Sequence, residues 1–423
     1  MTGQASEEQR AGAGPRKTGP PRAAGLLGQY GPFLAHPGVA RPAGFGLLAR
    51  LTNGMLGLVF MLTAVEVTGS YAAAGGTAAL FTAASTVATP LWSRAADRLG
   101  PAPVLLVTGS GEAAVLAAEA WVSLGDAPGG LPLTLLAVTA SGALLPPVAA
   151  IMRTQWSRMF AGSELRTTAF AYETVVTDLV FIAGPAVVAG LTALAGPGPA
   201  LLAAAGTTLC GCLGLATGSR LLPGPPGGPG ERHWLGALGN RRVRALLPVG
   251  FLLTGSISVI EVSLVSAADQ EGSPDAAGLL IALLSVGGVA GGLLWGRVRH
   301  EARPWRELLV WTGALTAGWA LPALAPHMWV LAGLLLLAGL AMNPALTAQF
   351  SAMDDAAPPE LATEAFGWLN GTSSAGLTAG AAAVGPLVEA EARYGFLAAA
   401  GMCALGTALI AAARPAAGRA PAT

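Results

Sequence analysis

Apolar residues dominate long stretches of this 423-residue chain. No Asp, Glu, Lys or Arg occurs from Leu179 to Ser219 or from Leu308 to Met353. Because one bilayer crossing needs about 20 apolar residues, each of these two stretches is long enough for two membrane helices. Division of the apolar stretches at Gly and Pro clusters predicts twelve helices. They lie approximately at 43–67, 71–93, 102–124, 131–153, 167–193, 198–219, 245–268, 276–297, 307–325, 329–351, 364–388 and 394–413.

The positions of the basic residues test this division. With both termini in the cytoplasm, 21 of the 23 Lys and Arg residues fall on the cytoplasmic side, as the positive-inside rule requires. The two others are Arg50, within helix 1, and Arg393. One missed helix would reverse the pattern for the rest of the chain. The sequence therefore predicts an all-α integral membrane protein with twelve transmembrane helices and both termini cytoplasmic. One predicted cytoplasmic loop, between helices 10 and 11, departs from the charge pattern because it is acidic and has no basic residue.

Composition agrees with a membrane protein and excludes several other classes. Only 11% of the residues are charged and 53% are hydrophobic, which is too few charges for the surface of a soluble enzyme or a nucleic-acid-binding protein. The three cysteines lie inside apolar stretches, where they are expected to pack rather than to bind metal. No phosphate-binding loop, His-Glu-x-x-His or Gly-x-Ser-x-Gly pattern occurs. We predict no enzymatic activity, no cofactor and no metal site.

The two halves of the chain resemble each other. Residues 164–172 are similar to 360–368, 92–94 to 295–297, and 184–185 to 385–386, at nearly one offset. This repeat predicts two parallel six-helix bundles around a central site, an arrangement that secondary transporters use. The predicted domains are a disordered cytoplasmic tail at 1–42, an N-terminal bundle at 43–219, a cytoplasmic linker at 220–244, a C-terminal bundle at 245–413 and a cytoplasmic tail at 414–423.

Two short motifs carry a family resemblance. The loop after helix 2 contains Ser93, Asp97, Arg98 and Gly100, and it resembles the Gly-x-x-x-Asp-Arg-x-Gly loop of the major facilitator superfamily, with Ser93 in place of the first Gly. Its Asp and Arg can form ion pairs that lock one conformation, and Gly permits the turn. Helix 5 contains Gly184, Pro185 and Gly190, similar to the Gly-Pro motif of the antiporter branch, although helix packing is an equally common use of such residues. The short segments 66–71, at the end of helix 1, and 146–156, in helix 4, resemble actinobacterial drug or metabolite exporters.

Six ionisable residues are predicted to lie within the hydrocarbon layer. Because a charge there has an unfavourable free energy of insertion, each of these residues is a candidate for a functional role. They are Arg50, Glu112, Glu119, Glu173, Asp178 and Glu261. The resemblance implies that helix 5 lines the interface between the halves, so Asp178, near its middle, is the first candidate for the proton acceptor. Glu173 lies at the height of Arg50 and is its predicted partner, either for proton coupling or as a static pair. Glu112 ranks second as a proton carrier.

Neutral and aromatic residues complete the predicted site. The candidates for the substrate cavity are Thr52, Asn53, Glu261, Asn343, Gln349, Trp368 and Asn370. Hydrogen bonding between helices is the more common use of the neutral polar ones. Most other tryptophans, Trp156 among them, are predicted to form an interfacial belt because they fall near helix ends.

The function predicted from these features is proton-coupled export of small amphipathic molecules across the plasma membrane by alternating access. The alternative is a proton-coupled importer of a sugar or organic anion, and a membrane-embedded enzyme or sensor is a remote third. The expected partners are a small-molecule substrate, protons and the lipid bilayer, without nucleic acid, and the protein is expected to be a monomer.

Overall fold

The computed structural model describes residues 30–68, 71–124, 130–163, 165–218, 235–273, 276–295 and 303–413, and all regular secondary structure within them is helical. Most of the predicted N-terminal tail, much of the predicted linker and the predicted C-terminal tail lie outside these ranges. The first half contains α1 (Gly31–Leu34), α2 (Ala40–Thr68), α3 (Tyr71–Leu99), α4 (Pro101–Leu124), α5 (Gly130–Leu144), α6 (Val148–Met159), α7 (Leu165–Ala195) and α8 (Pro197–Leu213). The second contains α9 (Arg241–Gln270), α10 (Ala276–Trp295), α11 (Pro304–Ala320), α12 (Met328–Ala356), α13 (Ala362–Ala390) and α14 (Ala392–Ala413).

Within the described residues, nine helical stretches are long and apolar enough to cross a membrane, with α5 and α6 counted as one stretch. The α5–α6 break falls at Pro146 and Pro147, because proline lacks the N–H that would continue the helical hydrogen bonds. The predicted helix 4 ends at residue 153, but α6 continues to Met159. Arg153, which the sequence places at a cytoplasmic helix end, therefore lies in the middle of a helix.

Two further helices are longer than predicted. The α3 helix continues to Leu99 and the α12 helix to Ala356, so Asp97 and Arg98 lie on the last turns of a helix rather than in a loop. The turn itself is made by Gly100, whose φ of 90° is accessible to glycine at no steric cost.

Each half is held together by close helix crossings. In the first half, a Cβ atom added to Gly184 of α7 would come within 2.4 Å of the Gly54 carbonyl carbon of α2. In the second half, a Cβ atom added to Gly380 of α13 would come within 2.4 Å of the Gly255 oxygen of α9. Only residues without a side chain allow two backbones to approach so closely, so equivalent pairs of helices cross in the same way in both halves.

Candidate functional site

A cavity of about 480 Å³ lies between the two halves. This is within the range of about 300–1,000 Å³ that is typical of small-molecule sites. Its lining comes from α2, α3, α6 and α7 of the first half and from α9, α12 and α13 of the second. The polar part includes Arg50, Asn53, Thr82, Ser85, Arg153, Thr177, Asp178, Thr254, Gln349, Asn370, Ser373 and Ser374, and the apolar part includes Leu56, Phe60, Phe81, Leu145, Phe181, Leu346, Phe350 and Leu377.

A buried ion pair forms one wall of the cavity. Arg50 of α2 donates from Nη1 to Oε2 of Glu173 of α7 at 2.7 Å and from Nη2 to Oε1 at 3.4 Å. The indole N–H of Trp156 also donates to Oε1, at 2.7 Å. The Arg50–Glu173 pairing expected from the sequence is present in the structure, whereas the placement of Trp156 in an interfacial belt is wrong. Trp156 is fully buried because its N–H helps to satisfy the carboxylate.

Arg153 of α6 reaches from this wall to the second half, and it is not among the site residues predicted from the sequence. Its side chain is only 4% exposed. Its Nη1 donates to Oδ1 of Asn370 on α13 at 2.9 Å, and its guanidinium carbon lies 3.8 Å from the ring centroid of Phe350 on α12. Arg153 therefore connects both halves at the cavity.

Asp178 lines the cavity and is also bonded across the two halves. Nδ2 of Asn343, a buried residue of α12, donates to Oδ2 of Asp178 at 2.7 Å. Asn53, Gln349 and Asn370, which the sequence proposed as cavity residues, contribute to the lining as well. The structure thus brings Asp178 together with four of the predicted polar neighbours.

Other predicted site residues lie elsewhere. The Thr52 hydroxyl donates to the Ala204 carbonyl oxygen at 3.1 Å and is bonded to Thr208 of α8, inside the first half. Glu112 is buried at the same place, where it accepts hydrogen bonds from Ser141 and Thr208. These contacts hold α4 to α5 and α8, so the two residues support the packing of the first half. Trp368 packs against the core of the second half, and Glu261 is half-buried on α9, away from the cavity lining.

The predicted Gly-Pro motif is part of the packing of α7. Gly184 forms the close crossing with α2, and Pro185 lies within the helix without ending it. Gly190 faces open space, since a Cβ atom added there would meet no atom within 4 Å. The contacts of Gly184 are those of a packing residue.

The two halves meet tightly at the end of the cavity where α3 finishes. Asp97 accepts hydrogen bonds from the backbone N–H groups of Glu364 at 2.7 Å and Thr363 at 3.3 Å. These groups belong to the first turn of α13, where N–H groups lack helical partners and the helix dipole favours a negative charge. Burial raises the pKa of Asp97 to about 6, and these hydrogen bonds together with Arg158, 3.6 Å away, oppose the increase. The N–H groups of α13 and the Arg158 guanidinium therefore favour the ionised form of Asp97.

Further ion pairs close the same end. Nε of Arg94 lies 3.0 Å from Oε2 of Glu364, and Arg166 pairs with Asp354. Ser93 packs against Gly367 of α13, and Arg98 is exposed at the surface. Two carboxylates of the acidic stretch that broke the charge pattern of the sequence, Asp354 and Glu364, therefore have basic partners on the first half.

Within the described ranges, no group of three or more His, Cys, Asp or Glu side chains is placed so that it could hold a metal ion.

The described residues thus form a helical fold with apolar helices of membrane-spanning length, a polar cavity between two similar halves, and ion pairs at one end of that cavity. The model of the Major Facilitator Superfamily matches residues 246–422 of the chain. The resemblance to this superfamily is thereby confirmed over the second half of the chain, whereas the loop at Gly100 lies outside the matched residues. The matched family is one of transporters rather than enzymes.

Solved structures show the same fold over most of the chain. A bacterial homologue of the iron transporter ferroportin, in an outward-facing state, matches with a TM-score of 0.72 and 16% identity over 88% of this chain and 98% of that one. The human organic anion transporter MFSD10 matches with a TM-score of 0.69 and 20% identity over 88% and 99% of the two chains. The proton:xylose symporter XylE matches with a TM-score of 0.64 and 12% identity over 87% and 94%. No curated protein sequence matches the chain.

Proposed function

We propose that the protein is a proton-coupled secondary transporter that moves small amphipathic molecules across the plasma membrane by alternating access. The observation that carries this proposal is the position of Asp178, which lines a cavity between the halves and is bonded to Asn343 of the opposite half. A carboxyl group at such an interface can take up a proton when the cavity is open to one side and release it on the other. Protonation changes its bond across the interface, so it biases the two halves toward different arrangements.

For the topology we propose twelve membrane spans, with α5 and α6 forming one of them. The N-terminal bundle then comprises 43–219 and the C-terminal bundle 245–413, and the tails and the linker at 220–244 are cytoplasmic. Arg94 and Arg98 near the end of α3 and Arg158 near the end of α6 support this orientation, because basic residues remain on the cytoplasmic side. In this orientation the ion pairs of Arg94 and Arg166 close the cytoplasmic end, and the cavity faces outward.

The direction of transport has two candidates. The sequence favours export in exchange for protons through its similarity to antiporters around Gly184. Uptake of a sugar or an organic anion together with protons is favoured by Arg153, a buried cation in the cavity wall. Among proteins of the same fold are a human organic anion transporter and proton symporters for xylose and fucose.

Proton flux in proteoliposomes distinguishes these candidates. The purified protein is reconstituted, a pH gradient is imposed, and lipophilic cations, antibiotics, sugars and organic anions are added one at a time. Export by antiport is supported if a substrate and protons move in opposite directions. Movement in the same direction supports symport and excludes antiport. If no compound moves protons, the proton-coupled proposal is contradicted.

If the protein works by alternating access, a substitution at Gly367 should open the closed end of the cavity. A Cβ atom added there would lie 2.3 Å from Oγ and 2.5 Å from Cβ of Ser93, so Gly367→Ala is expected to push α3 and α13 apart at the closed end. Overpacking of this kind costs about 1–3 kcal/mol, which shifts the equilibrium toward the cytoplasm-open state by about 5- to 150-fold. Spin labels at the exposed positions Leu99 and Glu360, in a Cys210→Ser background, report the opening as a longer distance.

The matched control is Gly385→Ala on the same helix, where an added Cβ atom meets no atom within 4 Å. This variant is expected to keep the distance distribution of the unmodified transporter. If Gly367→Ala and Gly385→Ala give the same distribution, the contact between α3 and α13 does not control access.

A further inference from the structure

Arg153 has the features of a binding group for an anion. Within the described part of the chain, its side chain contacts the amide of Asn370 and the ring of Phe350. Its Nε atom is buried and makes no hydrogen bond to any described residue. A buried guanidinium without a carboxylate of its own is costly, and an anion that accepts its remaining hydrogen bonds would remove that cost.

A second unsatisfied donor lies in the same cavity. Nε2 of Gln349, on α12, is buried and makes no hydrogen bond to a described residue. Both Gln349 and Arg153 contribute to the cavity lining, together with Asn370. Two unpartnered donors on cavity-lining residues of opposite halves match the oxygens of a carboxylate better than they match a cation or an apolar group.

The charges around the cavity favour the same class of ligand. Among the residues that the structure describes, those that face it are Arg50, Arg153 and Asp178, and Glu173 lies behind Arg50 as its partner. Arg50 and Glu173 cancel, because they form a closed ion pair. When Asp178 is protonated, the charge of Arg153 therefore remains, and the cavity is positive.

We infer that the cavity binds an amphipathic organic anion whose carboxylate contacts Arg153 and Gln349 and whose apolar body lies against the aromatic and aliphatic lining. The apolar body would contact residues such as Phe60, Phe81 and Phe181. This inference rests on the proposed function and specifies its substrate class. It also gives the sign of the coupling. An ionised Asp178 repels the anion, so proton and anion bind together, which is the behaviour of a symporter.

The test measures binding to the purified, full-length protein in lipid nanodiscs by calorimetry. The probes are two matched trios, namely naphthalene-2-acetate and biphenyl-4-acetate, each with its amide and with the corresponding arylethylammonium ion. The carboxylate is expected to bind about tenfold or more tightly than the two other members of its trio. Equal or tighter binding of the amide or ammonium forms, or no binding of either carboxylate, overturns the inference.

Two variants test the role of Arg153. Arg153→Gln is expected to weaken carboxylate binding by about 30-fold and to remove the preference over the amide. Asn370→Asp keeps the arginine but gives it an internal carboxylate at the atom it already contacts, 2.9 Å away, so the same loss is expected in a protein with little change in shape. Arg241→Gln, which removes an exposed arginine, is the control and is expected to retain the preference. A preference that survives both site variants contradicts the inference.

Transport of the same probes separates this inference from the function on which it rests. If the carboxylates bind selectively but are not carried across proteoliposome membranes, the anion site stands and the transport function is wrong. If a neutral or cationic compound is carried and the carboxylates do not bind, transport stands and the anion site is wrong.

Discussion

Asn in place of Asp178 is expected to uncouple transport from protons while exchange of substrate between the two sides continues. The amide cannot take up and release a proton, but it retains the size and the hydrogen-bonding capacity needed to contact Asn343 across the two halves. Coupling between two ligands typically changes affinity by about 5- to 150-fold, and this factor is expected to fall to one in Asp178→Asn. Substrate affinity measured across a pH series, together with gradient-driven accumulation and counterflow, checks the prediction.

The control is Asp269→Asn, which makes the same chemical change at an exposed position of α9. This variant is expected to keep both accumulation and counterflow. If Asp178→Asn still accumulates substrate in response to a proton gradient, the proton-binding site is a group other than Asp178. Loss of counterflow together with accumulation assigns Asp178 a role in substrate binding or helix movement.

The helical fold could be predicted from the sequence, because a bilayer requires long apolar stretches and satisfied backbone groups. The positions of the helix ends could not be predicted in the same way. Charges near Asp97 and Asp354 were assigned to loops, since a charge usually marks the end of a membrane segment. In the structure these residues lie on α3 and α12, where they are buried against the opposite half. Their burial depends on contacts between residues far apart in the chain.

The residues of the cavity could likewise be predicted only in part, because their positions also depend on contacts between distant segments. The pairing of Arg50 with Glu173 was predictable because two opposite charges in hydrocarbon need each other. The charge pattern places Arg153 at a helix end, although Trp156 follows it by about one helical turn and Pro147 directly precedes the start of a new helix at Val148. The sequence does contain a signal for this cavity wall. It is an arginine and a tryptophan on one face of a helix that begins directly after a pair of prolines.

Adjacent residues on one helix also differ in the direction they face. Thr52 and Asn53 were both proposed for the cavity, but Thr52 bonds to α8 and Asn53 lines the cavity. Successive residues of an α-helix point about 100° apart, so one of them faces the first half when the other faces the interface. The sequence shows that both are polar and leaves open which face is buried.

Removal of the charge of Glu173 is expected to destabilise the protein more than any other single substitution considered for the cavity. Its carboxylate accepts hydrogen bonds from Arg50 and Trp156 and is fully buried. Breaking a buried ion pair by removing one partner typically costs about 3–5 kcal/mol, since the remaining charge is left without compensation. Glu173→Gln is therefore expected to lower the free energy of unfolding by that amount, measured by denaturant titration in micelles. The exposed substitution Glu389→Gln is the matched control and is expected to change it by less than about 0.5 kcal/mol.

The reverse substitution, Arg50→Gln, is expected to cost less, because Arg153 interacts electrostatically with both members of the pair. Without Arg50, Glu173 keeps the attraction of Arg153 and the hydrogen bond from Trp156. Without Glu173, two like charges face each other in a buried wall. The double variant Arg50→Gln/Glu173→Gln should therefore recover part of the stability lost in Glu173→Gln alone. Equal losses in the two single variants, with no recovery in the double variant, would show that Arg153 does not share the charge of Glu173.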